Sequence, residues 1–336
     1  MTTLHIDLGR QWRGGQSQAL LLIRGLLALG HRAELVAREG SPLAQRARAA
    51  GVRVHTLWQL LRSDLYALVH CHDAHGLTAA WLAGAATRSR LVASRRVAYP
   101  LSRNPLARAR YRAARIVAVS NFVKQSVVES GLPAGQVDVV YDGVELPDLQ
   151  AVREPHGPPR LGCVGYLLPE KGQEVAIRAL PLVLARHADC RLILAGDGPC
   201  RAALERLAAE LGVTRAVEFA GHVEDVAAAY RSLDVFLFPS LAEPLGSALL
   251  SAMAYGLPAV ALARGAVPEA IEDGRNGLLV AGPEPGPFAG AVLRLLDDSA
   301  LAARLGAAAR QTVEQRFSAD AMIHSTLQVY HRVLAC

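Results

Sequence analysis

Lysine is nearly absent. Lys124 and Lys171 are the two lysines in a chain holding 36 lysines and arginines together. A lysine kept where arginine is otherwise the rule is a candidate for a specific task, because a compact ammonium and a flat guanidinium recognise anions differently. Aromatic residues are also sparse, at 5%, and no nucleic-acid reader motif accompanies them, which argues against nucleic-acid recognition. The five cysteines, Cys71, Cys163, Cys190, Cys200 and Cys336, are odd in number and lack C-x-x-C spacing. That excludes a disulfide framework or zinc ribbon and fits thiols in a reducing compartment. No apolar stretch approaches the length of a membrane span. Met1–Gly9 has no basic leader region, so no signal peptide is expected. A cytoplasmic protein, peripheral on a membrane at most, is the expectation.

What is present suits an enzyme of two domains. The chain has 336 residues, 51% of them hydrophobic, enough for two sizeable cores. Charge is divided unevenly. Residues 1–153 hold 20 Lys+Arg against 10 Asp+Glu, and residues 154–336 hold 16 against 20. The basic first half predicts an anionic partner.

Apolar segments alternate with helical patterns throughout. Leu4–Leu8 reads as a strand, Gly14-Gly15 as a loop, Gln16–Leu29 as an amphipathic helix and Ala33–Ala37 as the next strand. Ser41–Ala50 reads as a helix. Strands follow at Val52–Thr56, Leu68–Cys71, Leu91–Ser94, Ile116–Val119 and Val137–Val140. Arg153–Arg160, rich in proline and charge, reads as a linker. Beyond it strands are expected at Arg160–Val164, Arg191–Ala195, Val217–Phe219, Val235–Phe238, Ala259–Ala263 and Leu278–Val280, and helix from Ala300 onward. Repeated β-α alternation predicts parallel sheets covered on both faces.

The richest stretch is Phe238–Val280. A buried strand stops at Pro239-Ser240, a carboxylate follows at Glu243, and Pro244 with Gly246 turns the chain into the apolar helix Ser247–Tyr255. Gly256-Leu257-Pro258 ends that helix and opens another strand. A carboxylate between a strand's carboxyl end and a helix's amino end sits where doubly wound sheets bind ligands, and free helix amides there suit a diphosphate. The series Pro239-Ser240, Glu243, Gly246, Ala252-Met253, Gly256, Pro258, Pro268-Glu269, Asp273-Gly274 and Gly277 resembles family 4 of the retaining glycosyltransferases, which have the GT-B fold. One position departs. The family carries a second glutamate, which binds the ribose, eight residues after the first, and Ser251 stands there.

The resemblance implies two Rossmann-like doubly wound parallel-sheet α/β domains facing a central cleft. The acceptor-side domain would be 1–153 and the nucleotide-sugar domain 154–317. A last helix in 318–336 would cross back to the first domain. It also implies roles for several motifs. In Gly165–Gly172 the family has Arg and Lys on the donor diphosphate; Lys171 matches and Tyr166 replaces the arginine, so that Arg10, Arg13 or Arg264 is a possible substitute. The turn holding Gly196 and Gly198 lies beside the nucleotide. His222 and Val223 match the base-binding loop, and Pro244, Leu245, Gly246 and Ser247 the phosphate-side turn. Gly14 and Gly15 match a glycine-rich loop that touches donor and acceptor. His72 matches a histidine near the transferred sugar, with Asp73 orienting it or reaching the acceptor.

Other readings of these residues are bounded. His70, His72 and His75 invite a zinc reading, but a core histidine at His70 and a sugar-side His72 explain the pattern without one. Gly196-x-Gly198 with Glu218 further on resembles a dinucleotide fingerprint, although Arg201 stands at the third glycine position and Pro199 interrupts it. No D-x-D pair demands a metal. Arg103, Arg108, Arg110, Arg112 and Arg115 with Leu101, Leu106 and Tyr111 form a basic amphipathic segment suited to anionic lipid.

The expected enzyme is therefore a retaining, metal-independent glycosyltransferase with no cofactor. Its donor would be a UDP-, GDP- or ADP-sugar and its acceptor a glycan or lipid-linked glycan of the lipopolysaccharide or capsule type. Glu243, His72 and Asp73 would be catalytic. A nucleotide-sugar-binding scaffold that has lost turnover, and a GT-B nucleotide-sugar epimerase, are the alternatives.

Overall fold

A computed structural model describes residues 1–148 and 157–335. It divides into one unit of Met1–Gly143 with Phe317–Cys336, and a second of Val144–Arg316. The boundary expected at 153/154 and the start of the expected linker, residues 153–156, lie outside the described residues.

Seven parallel strands form the sheet of the first unit. They are β1 (Thr2–Asp7), β2 (Arg32–Ala37), β3 (Val54–His55), β4 (Leu68–Cys71), β5 (Arg90–Arg95), β6 (Arg115–Ala118) and β7 (Val137–Val139). Their order is β3-β2-β1-β4-β5-β6-β7. The order reverses between β1 and β4, where Ile6 pairs with Cys71 and His5 with His70. The crevice beyond the carboxyl ends of such a pair is where doubly wound sheets receive ligands. The core joins the helix Gly14–Ala28 to Leu35, Leu68 and Val92 of the sheet and to Ile323, Leu327 and Tyr330 of the helix Ala319–Ala335. Gly25 permits that helix contact, since a Cβ there would meet Ile323 Cδ1 at 2.1 Å.

Six parallel strands form the second sheet: β8 (Arg160–Val164), β9 (Arg191–Ala195), β10 (Val217–Gly221), β11 (Val235–Phe238), β12 (Ala259–Leu262) and β13 (Leu278–Val280). Their order, β10-β9-β8-β11-β12-β13, reverses between β8 and β11. Val235-Phe236-Leu237-Phe238 and Ala259-Val260-Ala261-Leu262 are wholly buried. Continuous apolar runs are what a strand covered on both faces requires.

Three sequence expectations change. Val52–Thr56 contracts to the two-residue β3, because it pairs on one side only, with β2. Gly14 and Gly15 are not loop residues: they open the helix Gly14–Ala28, whose start is fixed by the Gln16 side chain accepting the Arg13 N–H at 3.2 Å. The basic segment near Arg108 does not turn an apolar face outward. Leu101 and Tyr111 are buried at 6% exposure each and belong to the core, which leaves Leu106 as its exposed apolar residue. Among the described residues no helix is long and apolar enough to cross a membrane.

Candidate active site

In the second unit, the loops that follow β8 and β11 meet at the point where strand order reverses. Lys171 ends a short 3-10 turn, Pro169–Lys171, and Glu243 lies in the loop before the helix Ser247–Ala254. Lys171 Nζ donates to Glu243 Oε2 at 2.7 Å, across 72 residues of sequence. The side chain of Glu243 is 8% exposed and that of Lys171 is 31% exposed. Glu243 is thus not the isolated carboxylate that the sequence suggests. Among the described residues nothing else bonds its carboxylate, so Oε1 is left to accept from a hydroxyl. Lys171 has two further N–H donors for an anion.

Two glycines outside the expected site hold this pair together. Gly172 adopts φ +65°, and a Cβ there would lie 2.0 Å from the Pro239 carbonyl oxygen. Gly265 adopts φ +58°, with a Cβ position 2.2 Å from the Glu243 carbonyl oxygen. Both need the left-handed region and close backbone approach, which glycine alone combines without strain. Leu241 N–H donates to Glu170 O at 2.8 Å and Ala266 N–H to Glu243 O at 2.9 Å, completing the clamp. The signal for Gly172 was already in the sequence, as the glycine after Lys171. Gly265 had none beyond its place after a strand.

Helices Gln173–Leu184 and Ser247–Ala254 begin beside the pair. Their first amides and their dipoles favour negative charge there. Tyr166 is 52% exposed, and its carbonyl accepts the Gln173 side-chain amide at 2.9 Å. Leu245 is buried, so its backbone, not its side chain, belongs to the Pro244–Ser247 turn. Ser251 lies near the hydroxyl of Tyr230, which donates to the Ala248 carbonyl at 3.1 Å from a buried ring stacked on Tyr255. Arg264 is exposed one residue before the Gly265 clamp, whereas Arg10 and Arg13 belong to the first unit. His222 is exposed just past β10.

Gly196 and Gly198 serve the chain itself. Gly196, at φ +148°, would place a Cβ 1.9 Å from Gly165 O, and Gly198 one 2.5 Å from Leu167 O. Their missing side chains admit the loop after β8. Nor does Glu218 act as the acid of a dinucleotide fingerprint. It pairs with Ile193 within the sheet and lines a cavity with Arg160, Arg191 and Arg215, at the amino-terminal end of the strands.

The first unit contains a buried polar strip at its own reversal point. Thr3, His5 and Asp7 alternate on β1 and are all buried. His72 Nε2 meets His5 Nδ1 at 2.9 Å, and His72 Nδ1 lies 3.5 Å from Arg96 Nη1. A guanidinium only donates, so His72 Nδ1 accepts and its Nε2 carries the proton. His5 Nδ1 then accepts that proton's bond, and His5 Nε2–H faces Thr3 Oγ1 at 3.0 Å. Both nitrogens of His72 are therefore engaged within the protein; it positions Arg96, which also bonds Asp142 at 2.8 Å. Asp73 does not orient His72. Its Oδ1 accepts from Gly76 N–H at 2.8 Å as a helix cap, and from Leu8 N–H at 3.2 Å. His70 is bonded to Tyr330 Oη at 2.6 Å and Ser94 Oγ at 2.8 Å.

A histidine trio does form, but with other members than expected. His5, His70 and His72 bring ligand atoms within 4.8 Å of one another, and His75 is exposed elsewhere. Their nitrogens already bond each other or neighbours and a guanidinium stands beside them, a set that does not suit a cation. The signal for His5 was legible: Thr3-x-His5-x-Asp7 places three polar residues on one face of an apolar strand.

This strip makes stability sensitive to acid. Burial pushes His5 down to about 3. Burial, then the neighbouring histidines and Arg96, hold His70 and His72 well below the ordinary value. In the unfolded chain each histidine takes up a proton near pH 6.5. Below that pH the unfolded state binds more protons than the folded one, and stability falls by about 1.4 kcal/mol per pH unit for each histidine. His5→Gln should therefore reduce the slope of stability between pH 6 and 5 by up to about 1.4 kcal/mol per pH unit, measured from urea midpoints. Asp7, which burial raises, contributes the opposite sign in both proteins and cancels in the comparison. An unchanged slope would show that His5 protonates in the folded state.

Comparison with known proteins agrees with this architecture. Residues 12–147 match the family described as Glycosyltransferase Family 4, and residues 158–298 match Glycosyl transferases group 1. A GDP-mannose-dependent α-(1-6)-phosphatidylinositol monomannoside mannosyltransferase of Mycobacterium tuberculosis is 30% identical over 317 residues, covering 82% of each chain. The chain belongs to glycosyltransferase family 4. It is a glycosyltransferase of the GT-B type. An uncharacterised glycosyltransferase of Methanocaldococcus jannaschii is 31% identical over 66% of this chain, and the match spans 60% of that protein's length. Among solved structures, Anabaena HepE in complex with UDP and glucose superposes with a TM-score of 0.85. It is 19% identical, and 98% of this chain and 99% of that one are covered. At that identity the likeness speaks for the fold.

Proposed function

We propose that this glycosyltransferase moves a sugar from a nucleotide-sugar to a hydroxyl of a glycan or lipid-linked glycan, with retained configuration and without a cofactor. The Lys171–Glu243 pair carries this reading. A cation and a carboxylate share one ligand-facing point between two helix amino termini. The ammonium and the helix amides would hold the donor diphosphate, and Glu243 Oε1 would accept from hydroxyls of the donor sugar. The leaving diphosphate would take the acceptor's proton, so no strong base is needed. The HepE complex with UDP and glucose supports a nucleotide-sugar donor. The mycobacterial relative, named for GDP-mannose and a phosphatidylinositol mannoside, supports a lipid-linked acceptor. Those two names divide on the base. A lipopolysaccharide or capsule acceptor on the inner face of a membrane is the narrower form of the proposal.

A panel of UDP-, GDP- and ADP-sugars incubated without acceptor tests it. The expected result is slow hydrolysis of one donor, releasing a sugar of the donor's own anomeric configuration by NMR. An isomerised nucleotide-sugar would reassign the chain as an epimerase. Donor binding with no hydrolysis, alone or with acceptor extracts, would make it a scaffold.

A further inference from the structure

We propose that a cavity in the first unit binds a phosphate ester, and that this ester is part of the acceptor; the second clause rests on the glycosyl transfer proposed above. The cavity measures about 890 Å³. Arg10 and Arg13, from the loop after β1, line it together with Arg38, just past β2, and Arg110 of the helix Pro105–Arg112. Thr78 and Leu82 of the helix Ala74–Leu82 form another wall. No aspartate or glutamate is among the described residues that line it.

Arg10, Arg38 and Arg110 bring three positive charges to the border of one volume, where Arg13 donates through Nε to Gln11 at 2.9 Å. Like charges so gathered favour an anion among them. Arg10 and Arg38 are exposed and form no side-chain hydrogen bond or ion pair with the described residues. Arg110 donates through Nη1 to Thr78 Oγ1, and its buried Nε has no partner among them. Asp7, the carboxylate at the end of β1, accepts from Gln16 at 3.0 Å and from Gly9 N–H at 2.8 Å and forms no ion pair with these arginines. Arginines contributed by several elements around one volume offer forked donors that suit the several oxygens of a phosphate. The cavity is far larger than phosphate alone, and of the size that holds a small organic ligand. Leu82, 73% exposed at its edge, offers apolar surface to the rest of the ester. A soluble sugar phosphate and a lipid phosphate share this chemistry.

The test uses two probes on the full chain. One is sn-glycerol 3-phosphate, followed by calorimetry. The other is phosphatidylcholine vesicles with and without phosphatidylglycerol, followed by co-sedimentation. Arg10→Gln/Arg38→Gln removes two exposed charges from the cavity. Arg48→Gln/Arg206→Gln removes two exposed charges elsewhere as a matched control. At least tenfold weaker binding in the cavity variant, with the control and Lys171→Ala near wild type, supports the site. Loss of glycerol phosphate binding assigns a soluble ester, and loss confined to vesicles assigns a lipid one. Wild-type protein binding neither probe overturns the proposal, as does equal weakening in both double variants. Donor hydrolysis is read in parallel. Intact hydrolysis with no phosphate-ester binding sinks this site alone, and binding without hydrolysis of any donor removes its role in transfer but leaves the site.

Discussion

Glu243→Gln should lower turnover at least about tenfold while nucleoside diphosphate affinity stays within about threefold. Glutamine keeps the volume and can still accept from Lys171 through its amide oxygen, so the clamp formed by Gly172 and Gly265 has no reason to open. What it loses is the negative charge proposed to face the donor sugar. A tenfold loss is about 1.4 kcal/mol of transition-state stabilisation, modest for a charged contact. Glu243→Ala should lose at least as much turnover and cost little further stability, because the Lys171 side chain is 31% exposed and can turn to water. Steady-state kinetics on the donor identified by the hydrolysis panel, with calorimetry of the matching diphosphate, measures both quantities. Wild-type turnover in Glu243→Gln would remove this carboxylate from the reaction.

Lys171→Ala should weaken nucleoside diphosphate binding about 30-fold, roughly 2 kcal/mol, and leave nucleoside binding almost unchanged. A charge-assisted hydrogen bond in a partly desolvated site has that magnitude. The ion pair adds a second consequence. Deleting the lysine strands a carboxylate that is 8% exposed, and an unsatisfied buried acceptor costs about 1–3 kcal/mol. The lower half of that range applies here, since partial solvation of the lysine already weakens the pair. Thermal stability should fall by several degrees and recover in part in Lys171→Ala/Glu243→Gln, where no charge is left unpaired. Diphosphate affinity should not recover in that double variant. Equal losses for nucleoside and diphosphate would make Lys171 a structural residue, and failure of the double variant to regain stability would mean the two groups are not coupled.

Much of the secondary structure was legible in the sequence because its signals are local. The apolar runs at Val235–Phe238 and Ala259–Leu262, and the glycines and prolines that end them, are set by backbone and burial rules acting within a few residues. Leu68–Cys71, Arg160–Val164, Arg191–Ala195 and Leu278–Val280 were legible for the same reason. Lys171 and Glu243 could each be singled out, one by its rarity and one by its place between strand and helix. Their pairing could not. Period and propensity say which residues turn inward, but not which strands become neighbours. In a parallel sheet, neighbours are joined by crossovers, and β8 and β11 meet only because the order reverses there. The same limit hid His5 from His72, and Tyr330 from His70 across 260 residues of chain. It also hid the helix cap made by Asp73 and the close backbone contact at Gly196, because those residue types suit a ligand as well as they suit such roles. The sequence by itself determined strands, helices and the family. Tertiary structure alone decided which polar groups satisfy one another and which are left for a ligand, because a buried donor or acceptor takes whatever partner the packing brings within about 3 Å.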